Sequence, residues 1–122
     1  MSVVLIVEDN EKNMKLARDI LGAKGYQTLE AITGEEGVKL AKEKQPDLIL
    51  MDIQLPGING IEAFKQIRAN APTAMVPVVA VTASVTPTDR SEISAAGFDA
   101  FISKPINLKE FVDTVKRLLE QK

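Results

Sequence analysis

The sequence predicts an α/β domain, a doubly wound, five-stranded parallel sheet flanked by five helices. Three observations carry that reading. Short unbroken apolar runs at 3–7, 48–51 and 78–81 look like strands buried on both faces. Between them lie helix-length stretches whose apolar residues recur with a period near 3.6. Gly25, Pro46, Pro77 and Gly97 punctuate the boundaries. Strands that alternate with helices through right-handed crossovers make a parallel sheet with helices on both sides.

Taken in order, V-V-L-I-V at 3–7 is the first strand and runs into Glu8-Asp9-Asn10. A helix follows over about 10–24, closed by Gly25 where a left-handed cap is favoured. At ~100° per residue, Leu16, Ala17, Ile20 and Ala23 form the centre of its apolar arc, with Met14 and Leu21 at one margin. Residues 26–32 are a more polar strand, expected at a sheet edge. Thr33-Gly34-Glu35-Glu36 fits a capping box, in which a hydroxyl and a carboxylate satisfy each other's amides. The second helix ends near Lys44, because Pro46 prevents its continuation.

The third strand, 48–52, ends in Asp52 and a loop rich in turn residues, Pro56, Gly57 and Gly60. A third helix is expected over about 60–70 with Ile61, Phe64 and Ile67 inward. Strand four is 78–82. Thr86 caps a short fourth helix with Pro87 in its first turn, and Gly97 ends it. Strand five, 99–103, leads into Lys104-Pro105. Asn107 caps the last helix, whose Leu108, Phe111, Val112, Val115, Leu118 and Leu119 fall on one stripe.

Length and composition narrow the function. A chain of 122 residues, 45% hydrophobic and 26% charged, is expected to be one globular domain over 1–122. A net charge of −2 offers no electrostatic footprint for nucleic acid or an anionic membrane. The absence of Cys and His excludes disulfides, zinc centres and imidazole chemistry. The first apolar run is too short, and too soon acidic, for a signal peptide or membrane span, so a cytoplasmic setting is expected.

All strands of such a sheet end on one rim, where ligands bind. The rim receives Glu8 and Asp9, Asp52, Thr82 and Lys104. Each has an ordinary explanation alone, as a cap, a turn residue or a solvated lysine. Together they have a chemistry. Three carboxylates with one lysine repel one another unless a hard divalent cation, such as Mg²⁺, lies among them. A lysine and a hydroxyl are what a phosphoryl group needs for its remaining charge and oxygens. A carboxylate is also a competent phosphoryl acceptor.

The acidic pair Glu8-Asp9, L-I-L-M-D-I-Q-L-P-G-I-N-G around Asp52, Thr82-Ala83 and Lys104-Pro105 occur in an order and spacing that resemble the response-regulator receiver domain of bacterial two-component signalling. The resemblance covers the whole chain. It implies the flavodoxin-like sheet order 2-1-3-4-5. It also implies that Asp52 takes a phosphoryl group from a phosphohistidine, so the protein is a phosphoacceptor in signalling rather than an enzyme acting on an external substrate. Asp9, Asp52 and the backbone carbonyl of Gln54 would hold Mg²⁺, with Glu8 acting mainly through water. Lys104 and the amide of Ala83 would bond phosphoryl oxygens. Thr82 would swing inward and leave space for Phe101, which stands where many family members have Tyr. A cis Lys104–Pro105 bond would aim the lysine over the carboxylates.

The partners so implied are a histidine kinase or histidine phosphotransfer protein and a downstream output protein. Output is expected through the face made by helix four, strand five and helix five, with effects of phosphorylation reaching Val85, Ile93 and Phe101. Neither nucleic acid nor membrane is a direct partner, and the chain is expected to be a monomer or weak dimer. Met14 and Leu21, at the margin of the first helix's arc, are expected to contact the kinase or phosphotransfer partner, together with the loop around Pro105.

Other uses of this sheet fit poorly. A flavodoxin cradles phosphate in a Ser/Thr/Gly loop after strand one, whereas this loop reads E-D-N-E-K-N. A Rossmann or P-loop enzyme needs a Gly-rich run at the same place. An Asp-x-Asp phosphatase needs an acid at 54, where Gln54 stands. The remaining alternative is a receiver-like interaction module that is not phosphorylated, against which the complete set of rim residues argues.

Overall fold

The computed structural model describes residues 2–83 and 86–120. Five strands, β1 (Val3–Val7), β2 (Gln27–Ala31), β3 (Leu48–Asp52), β4 (Val78–Thr82) and β5 (Ala100–Ser103), form one sheet in the order β2-β1-β3-β4-β5. Every neighbouring pair is parallel. The helices between and after them are α1 (Glu11–Ala23), α2 (Gly34–Lys44), α3 (Gly60–Ala69), α4 (Pro87–Ala96) and α5 (Leu108–Glu120). A 3-10 turn at Ala71–Thr73 fills the loop before β4, which the sequence marked only by its prolines.

Side-chain alternation divides the interior into two layers. Val4, Ile6, Leu48 and Leu50 face α1 and α5, while Leu5, Val7, Ile49 and Met51 face α2 and α3. Strands β3 and β4 are buried throughout, which explains their unbroken apolar runs. The edge strand β2 has only exposed and half-buried residues before the buried Ala31.

Helix termini follow local chemistry. Asn10, Thr33, Asn59 and Asn107 each accept the amide three residues on and so cap α1, α2, α3 and α5. The capping box of α2 closes one residue upstream of expectation, because Glu36 accepts from the Ile32 amide rather than that of Thr33. Helix α2 ends at Gln45 with φ of 44°, a left-handed cap on a non-glycine residue immediately before Pro46.

The inward face of α1 corrects the sequence reading. Met14, Ala17 and Leu21 are the buried residues, whereas Leu16 is 44% exposed and Ala23 faces solvent. The true arc lies roughly one residue's rotation, ~100°, from the expected one. Met14 and Leu21 pack in the layer shared with α5, so the expectation that they contact a partner does not hold. They are spaced i, i+7, with Ala17 between them as the small residue that lets the helix approach the sheet. On α5 the stripe is correct from Phe111 to Leu118, but Leu108 at its start is 60% exposed.

Candidate functional site

The sheet delivers its chemistry through bonds that extend the strand ladders by one rung. Glu8 N donates to Ala31 O at 2.9 Å, Ile53 N to Val81 O at 3.0 Å, and Lys104 N to Thr82 O at 2.8 Å. Glu8, Asp52, Thr82 and Lys104 therefore sit at the ends of β1, β3, β4 and β5 on one rim. Glu8, Asp52 and Thr82 are buried; Asp9 is exposed.

Oxygen atoms of Glu8, Asp9 and Asp52 lie within 4.8 Å of one another. The Lys104 ammonium bridges the two buried acids, 2.7 Å from Glu8 Oε1 and 3.0 Å from Asp52 Oδ2. Backbone amides hold the other oxygens. Gln54 N donates to Asp52 Oδ1 at 2.9 Å, and Asn10 N donates to Glu8 Oε2 at 3.1 Å. Each buried carboxylate is thus fixed at both oxygens, while the single ammonium they share offsets only one of their two charges. The Lys104–Pro105 peptide bond is cis, and Gly60 is pressed against the Asp52 carbonyl where no side chain would fit.

The electrostatics follow from crowding. Burial, and next the hydrogen bond shared with Asp52, push the Glu8 carboxyl up to about 7, while Lys104 pulls in the opposite direction. For Lys104, burial favours the neutral amine, but the bonds to Glu8 and Asp52 together outweigh it and its pKa rises. Three carboxylates against one ammonium leave an excess of negative charge around a small cleft. The donor set is all oxygen, which suits a hard divalent cation of the Mg²⁺ type. Beside the rim a cleft of about 270 Å³ is lined by Gln54, Asn59, Thr82 and Ile93, among others.

The response regulator receiver domain family matches residues 4–116. The chain belongs to that family. The receiver is 47% identical to the polar-differentiation response regulator DivK of Brucella ovis, over 95% of this chain and 94% of that protein. Among solved structures it is similar to the receiver domain of a Pseudomonas aeruginosa sensor histidine kinase, at 31% identity and a TM-score of 0.92 over 98% of both chains. That structure has a magnesium ion coordinated in its active-site cleft. The chemotaxis response regulator CheY4 of Vibrio cholerae superimposes with a TM-score of 0.90 at 26% identity, over 97% of this chain and 98% of that one. The fold is the CheY-like receiver fold, and the chain is a two-component signalling domain.

Away from the rim, Phe101 is half-buried on edge strand β5. The Arg90 guanidinium lies over its ring at 5.2 Å from the centroid, a cation–π contact that the sequence did not reveal. Phe101, Arg90, Ile93 and Phe98 help line a cleft of about 350 Å³ between α4 and β5. Ala83 follows β4 on the rim and is exposed; Val85 lies outside the described residues. Among the described residues no helix is long and apolar enough to cross a membrane.

Proposed function

We propose that this receiver accepts a phosphoryl group on Asp52. An Asp52 carboxylate oxygen attacks phosphorus, the P–N bond of a partner's phosphohistidine breaks, and the imidazole leaves with the electron pair. The observation that carries this reading is the setting of Asp52. It is 3% exposed, opens to the rim, and is held between the Gln54 amide and the Lys104 ammonium. A nucleophile so fixed loses little freedom on reaching the transition state.

Asp9, Asp52 and the backbone carbonyl of Gln54 would hold Mg²⁺, with Glu8 acting through water. When bound, the ion would offset carboxylate repulsion and draw charge from the phosphoryl oxygens. Lys104 serves a second anion at the same place: its ammonium, already between Glu8 and Asp52, can donate to a phosphoryl oxygen. The Thr82 hydroxyl and Ala83 amide supply donors from the end of β4. Thr82 turning inward leaves room for Phe101, so the signal passes to the face made by α4, β5 and α5. A downstream protein would read that face.

The phosphodonor, a histidine kinase or phosphotransfer protein, would meet the apolar side chains that the rim end leaves exposed. These are Leu16 on α1, Ile32 after β2 and Leu108 beyond Pro105, of which Leu16 and Leu108 flank the end of the sheet that carries Lys104 and Glu8. Treatment with acetyl phosphate and Mg²⁺ should add the mass of one phosphoryl group to the parent and none to Asp52→Asn. A parent that gains no mass, or an Asp52→Asn variant that gains as much, would overturn the assignment.

A further inference from the structure

We propose that Gly34, on α2 and outside the acidic rim, is a positioning residue for the loop that follows Asp52. The inference rests on reading the rim as a cation and phosphoryl site. Loop 53–59 joins β3 to α3 and carries Gln54, whose amide already holds Asp52 Oδ1 at 2.9 Å. Two of its side chains anchor it: Leu55 is buried, and the half-buried Ile58 packs against the layer beneath α2.

The first turn of α2 closes over that anchor. A Cβ built on Gly34 would lie 2.7 Å from Ile58 Cγ1 and 2.8 Å from the Ile58 carbonyl oxygen. Both distances are inside van der Waals contact, and one of the two atoms is backbone. The next residue presses on the same loop, since a Cβ on Gly57 would meet the Glu35 carboxylate at 2.8 Å. Gly57 has φ of 74° and makes the bend that brings Ile58 under α2. On the Gly57 side the neighbour is the exposed Glu35 side chain, which can swing away, whereas on the Gly34 side the Ile58 carbonyl is backbone and cannot move without the loop.

A methyl group at Gly34 must therefore move either α2 or the loop. Helix α2 is held by Val38 and Ala41 in the core, and by Gly37 packed against Val7. The loop, with fewer anchors, is the part that yields. Its displacement moves Gln54, and with it both the amide on Asp52 and the carbonyl assigned to the cation. Groups bonded directly to metal ligands typically change affinity by about 10–100-fold when altered, and Gly34, acting through Ile58, is expected at the lower end of that range.

Gly37 supplies the control. A Cβ there would meet the Val7 side chain at 2.8 Å, so Gly37→Ala crowds the same helix against the core and not against the loop. Mg²⁺ titration of the full chain, followed by amide NMR, compares the parent with Gly34→Ala, Gly37→Ala and Ile58→Ala. Gly34→Ala should raise the Mg²⁺ dissociation constant by about ten-fold and shift the Gln54 amide signal before any metal is added. Gly37→Ala should melt lower yet bind Mg²⁺ as the parent does. Ile58→Ala loosens the contact without crowding and should also weaken binding, so it decides the matter if Gly34→Ala does not fold. Parental affinity in the folded Gly34→Ala and in Ile58→Ala, or equal weakening in Gly37→Ala, overturns the positioning role. A parent that binds no Mg²⁺ would instead overturn the reading of the rim itself.

Discussion

The Lys104 ammonium lies closer to Glu8 than to the acceptor, 2.7 Å from Glu8 Oε1 against 3.0 Å from Asp52 Oδ2. The rim's half-buried ammonium is therefore shared, and neither acid is fully compensated. Removing one acid should relieve repulsion more than it loses attraction, because the other acid remains beside the lysine. Asp52→Asn is expected to melt higher than the parent in chelator, by about 1 kcal/mol. Millimolar Mg²⁺ should raise the parent's melting temperature, and should raise that of Asp52→Asn less. Asp47 is a poor control, since its Oδ2 accepts the Val3 amide at 2.8 Å. Asp113, exposed and paired across one helical turn with Lys109 at 3.3 Å, serves better. Thermal melts of the three proteins with and without metal check the pattern.

Metal-free stability should depend on pH in a direction set by Glu8. Its carboxyl titrates near 7 in the folded domain against 4.5 ordinarily, so between those values the folded state holds a proton that the unfolded chain has lost. That contribution is full below 4.5 and is lost as pH rises through about 7. The loss is on the order of 3 kcal/mol at most, since one pKa unit corresponds to about 1.4 kcal/mol. Lys104, also raised, loses its contribution only as pH climbs through its folded value, above 10.5. Urea melts in chelator should weaken from mildly acidic to neutral pH, and Glu8→Gln should flatten that trend. A parent whose stability rises over the same interval would contradict the assignment.

Docking and chemistry should separate at Leu16. This side chain is 44% exposed and is neither a rim carboxylate nor one of their hydrogen-bond partners. Leu16→Ala should slow phosphotransfer from a cognate kinase several-fold while leaving acetyl phosphate labelling at the parental rate. Equal loss in both assays would place the effect on the site rather than on docking. Met14→Ala, by contrast, should behave as a core truncation, with a destabilisation of about 2–5 kcal/mol.

Transmission to the α4–β5 face should be visible at Phe101. Fully burying its ring would gain about 2–3 kcal/mol, against about 0.5–1 kcal/mol for releasing an exposed cation–π contact such as that with Arg90. Phosphorylation, or beryllofluoride in its place, should therefore shift amide signals of Ile93 and Phe101 as well as those at the rim. Shifts confined to the rim would exclude Phe101 as the switch.

Much of this architecture was legible because the central strands have no ambiguity to resolve. Strands β3 and β4 occupy 48–52 and 78–82 as read, since a strand buried on both faces must be apolar throughout. The rim set was legible for the same reason, each member following directly from a strand end. The face of α1 was not. Leu16 and Ile20 compete with Met14 and Leu21 for burial, and the choice depends on the angle at which α1 crosses the sheet and meets α5. The Arg68–Asp99 ion pair at 2.7 Å, between residues 31 apart, was hidden for a related reason. Arg68 also donates to the Val76 carbonyl, a contact that exists only once α3 packs beside the segment leading into β4, while its stacking over Phe64 is an i, i+4 contact within α3 itself. The preference of Lys104 for Glu8 belongs with these, being a matter of tenths of an ångström.

Among the described residues of α4, Ile93 alone is buried, whereas α1, α3 and α5 each bury three or four. Lifting α4 from the sheet would wet little apolar surface, so the free energy of that opening lies far below that of global unfolding. In heavy water, α4 amides should exchange through this local opening, at rates insensitive to mild denaturant. Those of β3 and β4 should exchange only when the whole domain unfolds, and their rates should climb steeply with denaturant. Within the proposed output face, α4 would then carry the shortest proton lifetimes of the five helices, close to strands that carry the domain's longest.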